Sequence, residues 1–226
     1  MLKKISVLLV DDHPIIINAY KTALIHYSDV NSEYIFNIEN AINCDEALIK
    51  INSFFTSKKQ LEVVFLDIRL PKSNDNKILS GEDLALKIKA LLPKTKIIIS
   101  TTLNDNYRLH SLIKNINPIG LLVKNDINSN DLINAINDVL NNKPHYSKTV
   151  IKLMRKQVSN EILLDDIDRK LLYEISLGTK MKELPKILPL SLAGIEKRKR
   201  RLKQIFDTQS SSDKELLSVA KEKGFI

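Results

Sequence analysis

VLLVDDHP, residues 7–14, is an apolar run that ends in a doubled negative charge. Val7 to Val10 have the character of a strand buried on both faces, as strands of a parallel sheet are. Asp11 and Asp12 follow at once. Adjacent carboxylates repel one another, and burial raises the cost of charging either. A strand that ends this way needs a positive partner.

Similar short runs lie at Leu61–Leu66, Lys96–Thr101 and Ile119–Val123, with a weaker one at Tyr34–Ile38. Segments of helical length separate them, at about 14–27, 43–57, 81–92, 105–116 and 130–141. Asn43-x-x-Glu46 and Ser80-x-x-Asp83 place an acidic residue three after a capping one, which signals a helix start. Five alternating units predict an α/β fold with a doubly wound, five-stranded parallel sheet. After Asn141 the alternation stops. Asn142-Lys143-Pro144 breaks the last helix, and a polar linker runs over 142–160. The remainder predicts short helices at about 165–177, 182–188, 191–206 and 213–223, the last opened by the capping pattern Ser212-x-x-Glu215. The expected domains are therefore 1–141, α/β, and 161–226, all-α.

The chain has 226 residues, enough for two domains. No apolar run approaches the roughly 18–20 residues of a membrane span, and the short run after Lys3 and Lys4 lacks a cleavage site, so neither a signal peptide nor a membrane partner is expected. Cys44 is the only cysteine, which excludes an internal disulfide and fits the cytoplasm. The net charge of +8 is lopsided. Residues 1–140 hold 16 Lys and Arg against 16 Asp and Glu, and residues 141–226 hold 19 against 11. A basic excess confined to the C-terminal part points to an acidic partner, with nucleic acid first.

In an open parallel sheet, ligands bind beyond the carboxyl ends of the strands. Asp11 and Asp12 end the first strand, and Asp67, in VVFLDIRLP, ends the third. If those strands are neighbours, three carboxylates converge. A hard divalent ion such as Mg2+, which takes oxygen ligands at about 2.0–2.1 Å, resolves their repulsion. The fourth strand ends with the hydroxyls of Thr101 and Thr102, and the fifth with Lys124. Acid cluster, hydroxyl and cation on one rim suit transfer of a phosphoryl group to a carboxylate. No Gly-rich phosphate loop is present, which argues against nucleotide binding.

LLVDDHP, VVFLDIRLP, IIISTT and LLVK, in order at strand ends, resemble the receiver domain of two-component response regulators over about residues 1–140. The resemblance implies a flavodoxin-like fold, with Asp67 as acceptor of a phosphoryl group from a sensor kinase histidine. It further implies Asp12 as a direct Mg2+ ligand helped by Asp11, Thr101 as the switch hydroxyl and Lys124 as the phosphate-pairing lysine. Two departures stand out. A long polar loop, KSNDNKILS at 72–80, separates Pro71 from Gly81, and Leu121 stands where the family often has an aromatic residue. Arg69 lies within reach of that loop or of a phosphoryl group.

The segment 163–206 places a helix, a glycine stop at Gly178, a Pro-bounded turn and a basic helix in succession. Leu171, Leu172, Ile175, Ile195, Leu202 and either Ile205 or Phe206 form its expected core. Helix, turn and basic helix is a layout that fits a DNA major groove. The segment resembles the LuxR/FixJ (NarL)-type helix-turn-helix through Leu164, Arg169, Leu172, Gly178, Lys182-Glu183-Leu184, Ser191, Ile195 and Leu202. That resemblance implies DNA binding by Lys182, Ser191, Lys197, Arg198, Arg200 and Arg201, and a dimer-forming last helix. Pro185 and Gly194 depart from the pattern, as does Arg198, where a histidine is usual.

The sequence therefore predicts a cytoplasmic response regulator and not an enzyme. Its expected partners are a sensor histidine kinase, double-stranded DNA and a second copy of itself, at least when phosphorylated. The alternative is a phosphorylation-independent DNA-binding regulator whose receiver only dimerises. An aspartyl phosphatase is disfavoured, because Asp-Asp-His follows Val10 in place of Asp-x-Asp.

Overall fold

A computed structural model describes residues 2–102, 105–158, 162, 164–208 and 212–226. The chain divides into two compact units, residues 1–103 with 111–150 and residues 104–110 with 151–226.

Over residues 3–140, β1 (Lys3–Val10), β2 (Tyr34–Ala41), β3 (Val63–Asp67), β4 (Lys96–Thr101) and β5 (Gly120–Val123) alternate with α1 (Pro14–Val30), α2 (Cys44–Ser57), α3 (Gly81–Leu91), α4 (Asn106–Ile116) and α5 (Ser129–Leu140). All strand pairings are parallel, in the order β2-β1-β3-β4-β5, extended by a two-residue β6 (His145–Tyr146) beside β5. The doubly wound sheet is thus as expected, with β1 and β3 neighbours, and it gains one strand. Two residues are too few to show periodicity, which is why β6 is not visible in the sequence.

Strand alternation divides the core. Val7, Leu9, Phe65, Ile98 and Leu122 face one side, where Ile17, Tyr20 and Leu24 of α1 and Leu132, Ile136 and Val139 of α5 cover them. Every residue of β3 is buried, as befits a central strand. Caps hold the helix starts. The Asn43 side chain accepts from the Glu46 N–H at 2.8 Å, and Asn128 and Asp131 form a reciprocal capping box.

The stretch 142–160, expected as a polar linker, carries secondary structure. It contains β6 and α6 (Lys148–Val158), whose Val150 and Leu153 are buried; residues 159 and 160 lie outside the described residues. The charged Lys148, Lys152, Arg155 and Lys156 hide that short apolar stripe in the sequence.

The second unit is built around α7 (Asp166–Ser176), α8 (Leu192–Ile205) and α9 (Asp213–Glu222). Leu171, Leu172, Leu184, Leu188, Ile195, Leu202, Phe206, Leu216 and Phe225 form its core. Gly178 follows α7 at φ 82°, a left-handed conformation that glycine adopts without a Cβ penalty. Two expectations change. The segment 182–188 forms only a single 3-10 turn, Leu184–Lys186, because Pro185 supplies no N–H to continue a helix. Ser212 precedes α9 but makes no side-chain capping bond.

Ile98 lies fully buried in β4. Ile98→Ala is expected to destabilise the first unit by about 2–5 kcal/mol and Ile98→Val by about 0.5–1.5 kcal/mol, measured as earlier urea midpoints of its unfolding transition.

Candidate functional site

The register Val10↔Leu66 between β1 and β3 sets Asp11 beside Asp67 at the carboxyl edge of the sheet. Both are buried. Lys124, in a short 3-10 turn directly after β5, joins them: its Nζ donates to Asp11 Oδ2 at 2.6 Å and to Asp67 Oδ2 at 2.7 Å. These are charge-assisted bonds at their short limit. The other oxygens are used alike. Asp11 Oδ1 accepts from the His13 N–H at 3.0 Å, and Asp67 Oδ1 from the Arg69 N–H at 2.9 Å. Each aspartate therefore folds its own backbone into an Asx turn with one oxygen and grips Lys124 with the other.

Asp12 stands more open. Its Oδ1 accepts no hydrogen bond and faces His13 Nδ1 at 2.7 Å, a contact that becomes an ion pair when the imidazole is protonated. Possible ligand atoms of Asp11, Asp12, His13 and Asp67 lie within 4.8 Å of one another. The three carboxylates offer the hard oxygens that Mg2+ takes, and the Asp12 oxygen is ready to be used. His13, at the start of α1, brings a softer nitrogen to the same rim.

The surroundings fix this edge. Thr101 is buried at the end of β4, one residue beyond Ser100, the register partner of Asp67. The buried Tyr20 hydroxyl donates to Ser100 Oγ, and burial pushes the Tyr20 phenol far above its usual range. The Lys124 turn is held on both sides. The Val123 N–H donates to Ser147 Oγ at 3.1 Å, and Asp126 accepts from the Thr149 N–H at 2.6 Å. Neither Ser147 nor Asp126 carries a motif that marks it in the sequence.

Behind Asp67, α3 begins against the strand. A Cβ on Gly81 would come within 2.0 Å of the Asp67 carbonyl oxygen, so only glycine fits. The long loop before it is ordered by its own bonds. The buried Ser73 exchanges hydrogen bonds with Ile78, and the Asn74 N–H reaches the Asp45 carboxylate in the first turn of α2. Arg69 is exposed, and Leu121 is buried in β5.

The basic helix α8 distributes its charges unevenly. Ser191 caps it, accepting from the Gly194 N–H at 3.2 Å. Arg198 Nη1 donates to Asp165 Oδ2 at 2.6 Å and Asp168 Oδ1 at 2.7 Å. Lys199 and Lys203 pair with Asp213 at the start of α9. Among the described residues, Lys197 and Arg200 form no ion pair, and the exposed Arg201 is 3.9 Å from Asp168 Oδ2. Lys197, Arg200 and Arg201, at i, i+3 and i+4, share a helix face. Lys182 lies exposed in the preceding segment. Burial works to raise the Asp165 carboxyl, but the Arg198 guanidinium and the Asp168 N–H hold it below its ordinary value. Sequence reasoning missed Asp165, Asp168 and Asp213 as partners, since contacts between helices carry no fixed spacing.

No protein-family model and no curated protein matches this sequence. Solved structures do. A structure of two RcsB dimers bound to two parallel DNAs is 22% identical, with 97% of this chain and 98% of that chain covered, at a TM-score of 0.62. A structure of the Salmonella typhimurium RcsB response regulator is 21% identical, covering 97% of this chain and 99% of that chain, at a TM-score of 0.59. The likeness is one of fold, an α/β unit with a parallel sheet followed by a helical unit. No helix among the described residues is long and apolar enough to cross a membrane.

Lys124→Met leaves two buried aspartates without their cation. A loss of about 3–5 kcal/mol is expected for breaking such a pair, seen as a lower unfolding temperature. Adding Asp11→Asn should cost less than the sum of the single changes, because the residues are coupled.

Proposed function

We propose that this chain is a two-component response regulator that accepts a phosphoryl group on Asp67 and acts on double-stranded DNA through its C-terminal unit. The observation that carries the first half is Lys124 bridging Asp11 and Asp67 at the ends of three different strands. The helix-turn-helix resemblance and the unpaired cations of α8 support the second.

In this reading Asp67 Oδ2 attacks the phosphorus of a phosphohistidine on a sensor kinase. The P–N bond breaks, the imidazole leaves with the electron pair and takes up a proton, and an acyl phosphate remains on Asp67. Asp67 Oδ1 keeps the Arg69 N–H, while Lys124 passes from Oδ2 to a phosphoryl oxygen. Mg2+, held by Asp12 and Asp67 with Asp11 in support, would supply neutralisation of the phosphoryl oxygens. The added charge of about −1.5 to −2 draws in Lys124 and the Thr101 hydroxyl, biasing a two-state receiver. Leu121 leaves the hydroxyl and the lysine to carry that change without an aromatic partner. The asparto-phosphate is a transient signal, and the chain is not read as an enzyme.

The proposed output is transcription control in the cytoplasm by a homodimer, formed at least when phosphorylated, that sets two α8 helices into half-sites about 34–36 Å apart. Lys197, Arg200 and Arg201, with Lys182 and Ser191 at the edge, supply the DNA contacts, mostly to phosphates.

Incubation with a small acyl phosphodonor and Mg2+ is expected to add one phosphoryl group by intact mass, absent from Asp67→Asn and without Mg2+. An equal adduct on Asp67→Asn overturns the assignment. No adduct on the native chain, together with full DNA affinity, favours the phosphorylation-independent reading. Alanine at Lys197, Arg200 and Arg201 together should abolish DNA binding; in the single variants the logarithmic salt slope should fall by about 0.9 for each phosphate no longer neutralised.

A further inference from the structure

We infer that Arg198 positions the DNA-binding helix and does not itself contact DNA: its guanidinium locks α8 to the first turn of α7 through Asp165 and Asp168. The inference rests on the reading of α8 as the helix that meets DNA.

Three observations single Arg198 out from its basic neighbours. The first is where it sits. Ile195 and Leu202 mark the buried face of α8, and the Arg198 side chain is 24% exposed against 57% for Arg201. Lys197 and Arg200 are exposed on the other side of the helix. The second is geometry. One nitrogen, Nη1, bridges two carboxylates at 2.6 and 2.7 Å. Those carboxylates are themselves tied, because Asp165 Oδ1 accepts the Asp168 N–H at 2.7 Å. The third is the state of Asp168. It is fully buried, and its Oδ2 has no hydrogen-bond partner.

A buried carboxylate with one orphaned oxygen depends on the charge at its other oxygen. If Arg198 swung out to a phosphate, Asp168 would remain behind in the core with only the exposed Arg201, 3.9 Å from its Oδ2, as a counter-charge. The exposed Lys197 and Arg200 can reach a phosphate with no such penalty. Both acids also stand at the start of α7, where the helix dipole favours negative charge. The clamp fixes how α8 lies on α7, and through that where Lys197 and Arg200 point. It also suits arginine better than lysine, whose compact ammonium is more strongly hydrated and costs more to bury.

The test uses the full-length chain, with DNA affinity measured over a range of salt and thermal unfolding measured in parallel. Arg198→Met, Arg198→Lys and Asp168→Asn are each expected to weaken DNA binding about tenfold with an unchanged salt slope. Each should lower the unfolding temperature of the second unit, and Arg198→Met with Asp168→Asn should be no worse than the poorer single variant. Arg200→Met, the control, should reduce the slope by about 0.9. If Arg198→Met reduces the slope by that amount while Arg198→Lys and Asp168→Asn bind as the native chain does, Arg198 is a phosphate contact and the inference is overturned. Should the native chain bind no DNA in either phosphorylation state, the DNA reading of α8 fails. The unfolding data then judge the clamp alone: coupled losses at Arg198 and Asp168 support it, and independent losses overturn it.

Discussion

The ammonium of Lys124 between Asp11 and Asp67 is the contact on which the arrangement of the first unit turns. Two buried carboxylates on neighbouring strands repel one another and need a cation between them. The contact places demands on the sheet. With strands in the order β1-β3-β4-β5, a lysine at the end of β5 must pass over the end of β4 to reach β3 and β1. The residues at the end of β4 are Ser100 and Thr101, both small. Bulky side chains there would obstruct that reach. Ser147 and Thr149 brace the lysine turn from the far side, through Val123 and Asp126, which gives the two-residue β6 a purpose out of proportion to its length.

Much of this edge was legible because strand ends are legible. A short apolar run fixes where a buried strand stops, and the next residue must then lie on the rim. Asp11, Asp67, Thr101 and Lys124 were all found that way, and β1 and β3 prove to be neighbours. What escaped was support that depends on pairing across sequence. Ser147 contacts Val123, and Asp126 contacts Thr149, through single hydrogen bonds with no periodic signature. The segment 182–188 failed differently. A short helix is expected there, but Pro185 confines the segment to one tight turn.

Composition overstated the charge available to a partner in the second unit. The C-terminal part carries the whole net charge, and α8 is its most basic stretch. Arg198, Lys199 and Lys203 are nevertheless engaged by Asp165, Asp168 and Asp213. Those pairs hold α8 against α7 and α9, leaving Lys197, Arg200 and Arg201 to define the outward field. A basic helix thus serves two ends at once, with inward cations setting the orientation and outward ones making the surface. Charge counts cannot separate these groups, whereas helix angle relative to Ile195 and Leu202 does.

The long loop at 72–80 alters how access to Asp67 is understood. A lengthened surface loop costs little entropy and needs no purpose, yet this one is pinned at several points. Its backbone bonds to itself through Ser73 and Ile78 and to Asp45 of α2, and it ends at Gly81, pressed against the Asp67 carbonyl. Those anchors tie the loop to the α2 and α3 starts, whereas Asp67 Oδ2, the oxygen proposed to react, carries the Lys124 ammonium. In the proposed transfer the obstacle at that oxygen is therefore the lysine, which must release it before phosphorus can bond. The same side chain that makes two buried carboxylates tolerable also guards the one proposed to react. A phosphoryl group offers Lys124 new oxygens as it gives up the old one, so the guard moves without leaving a buried charge unpaired.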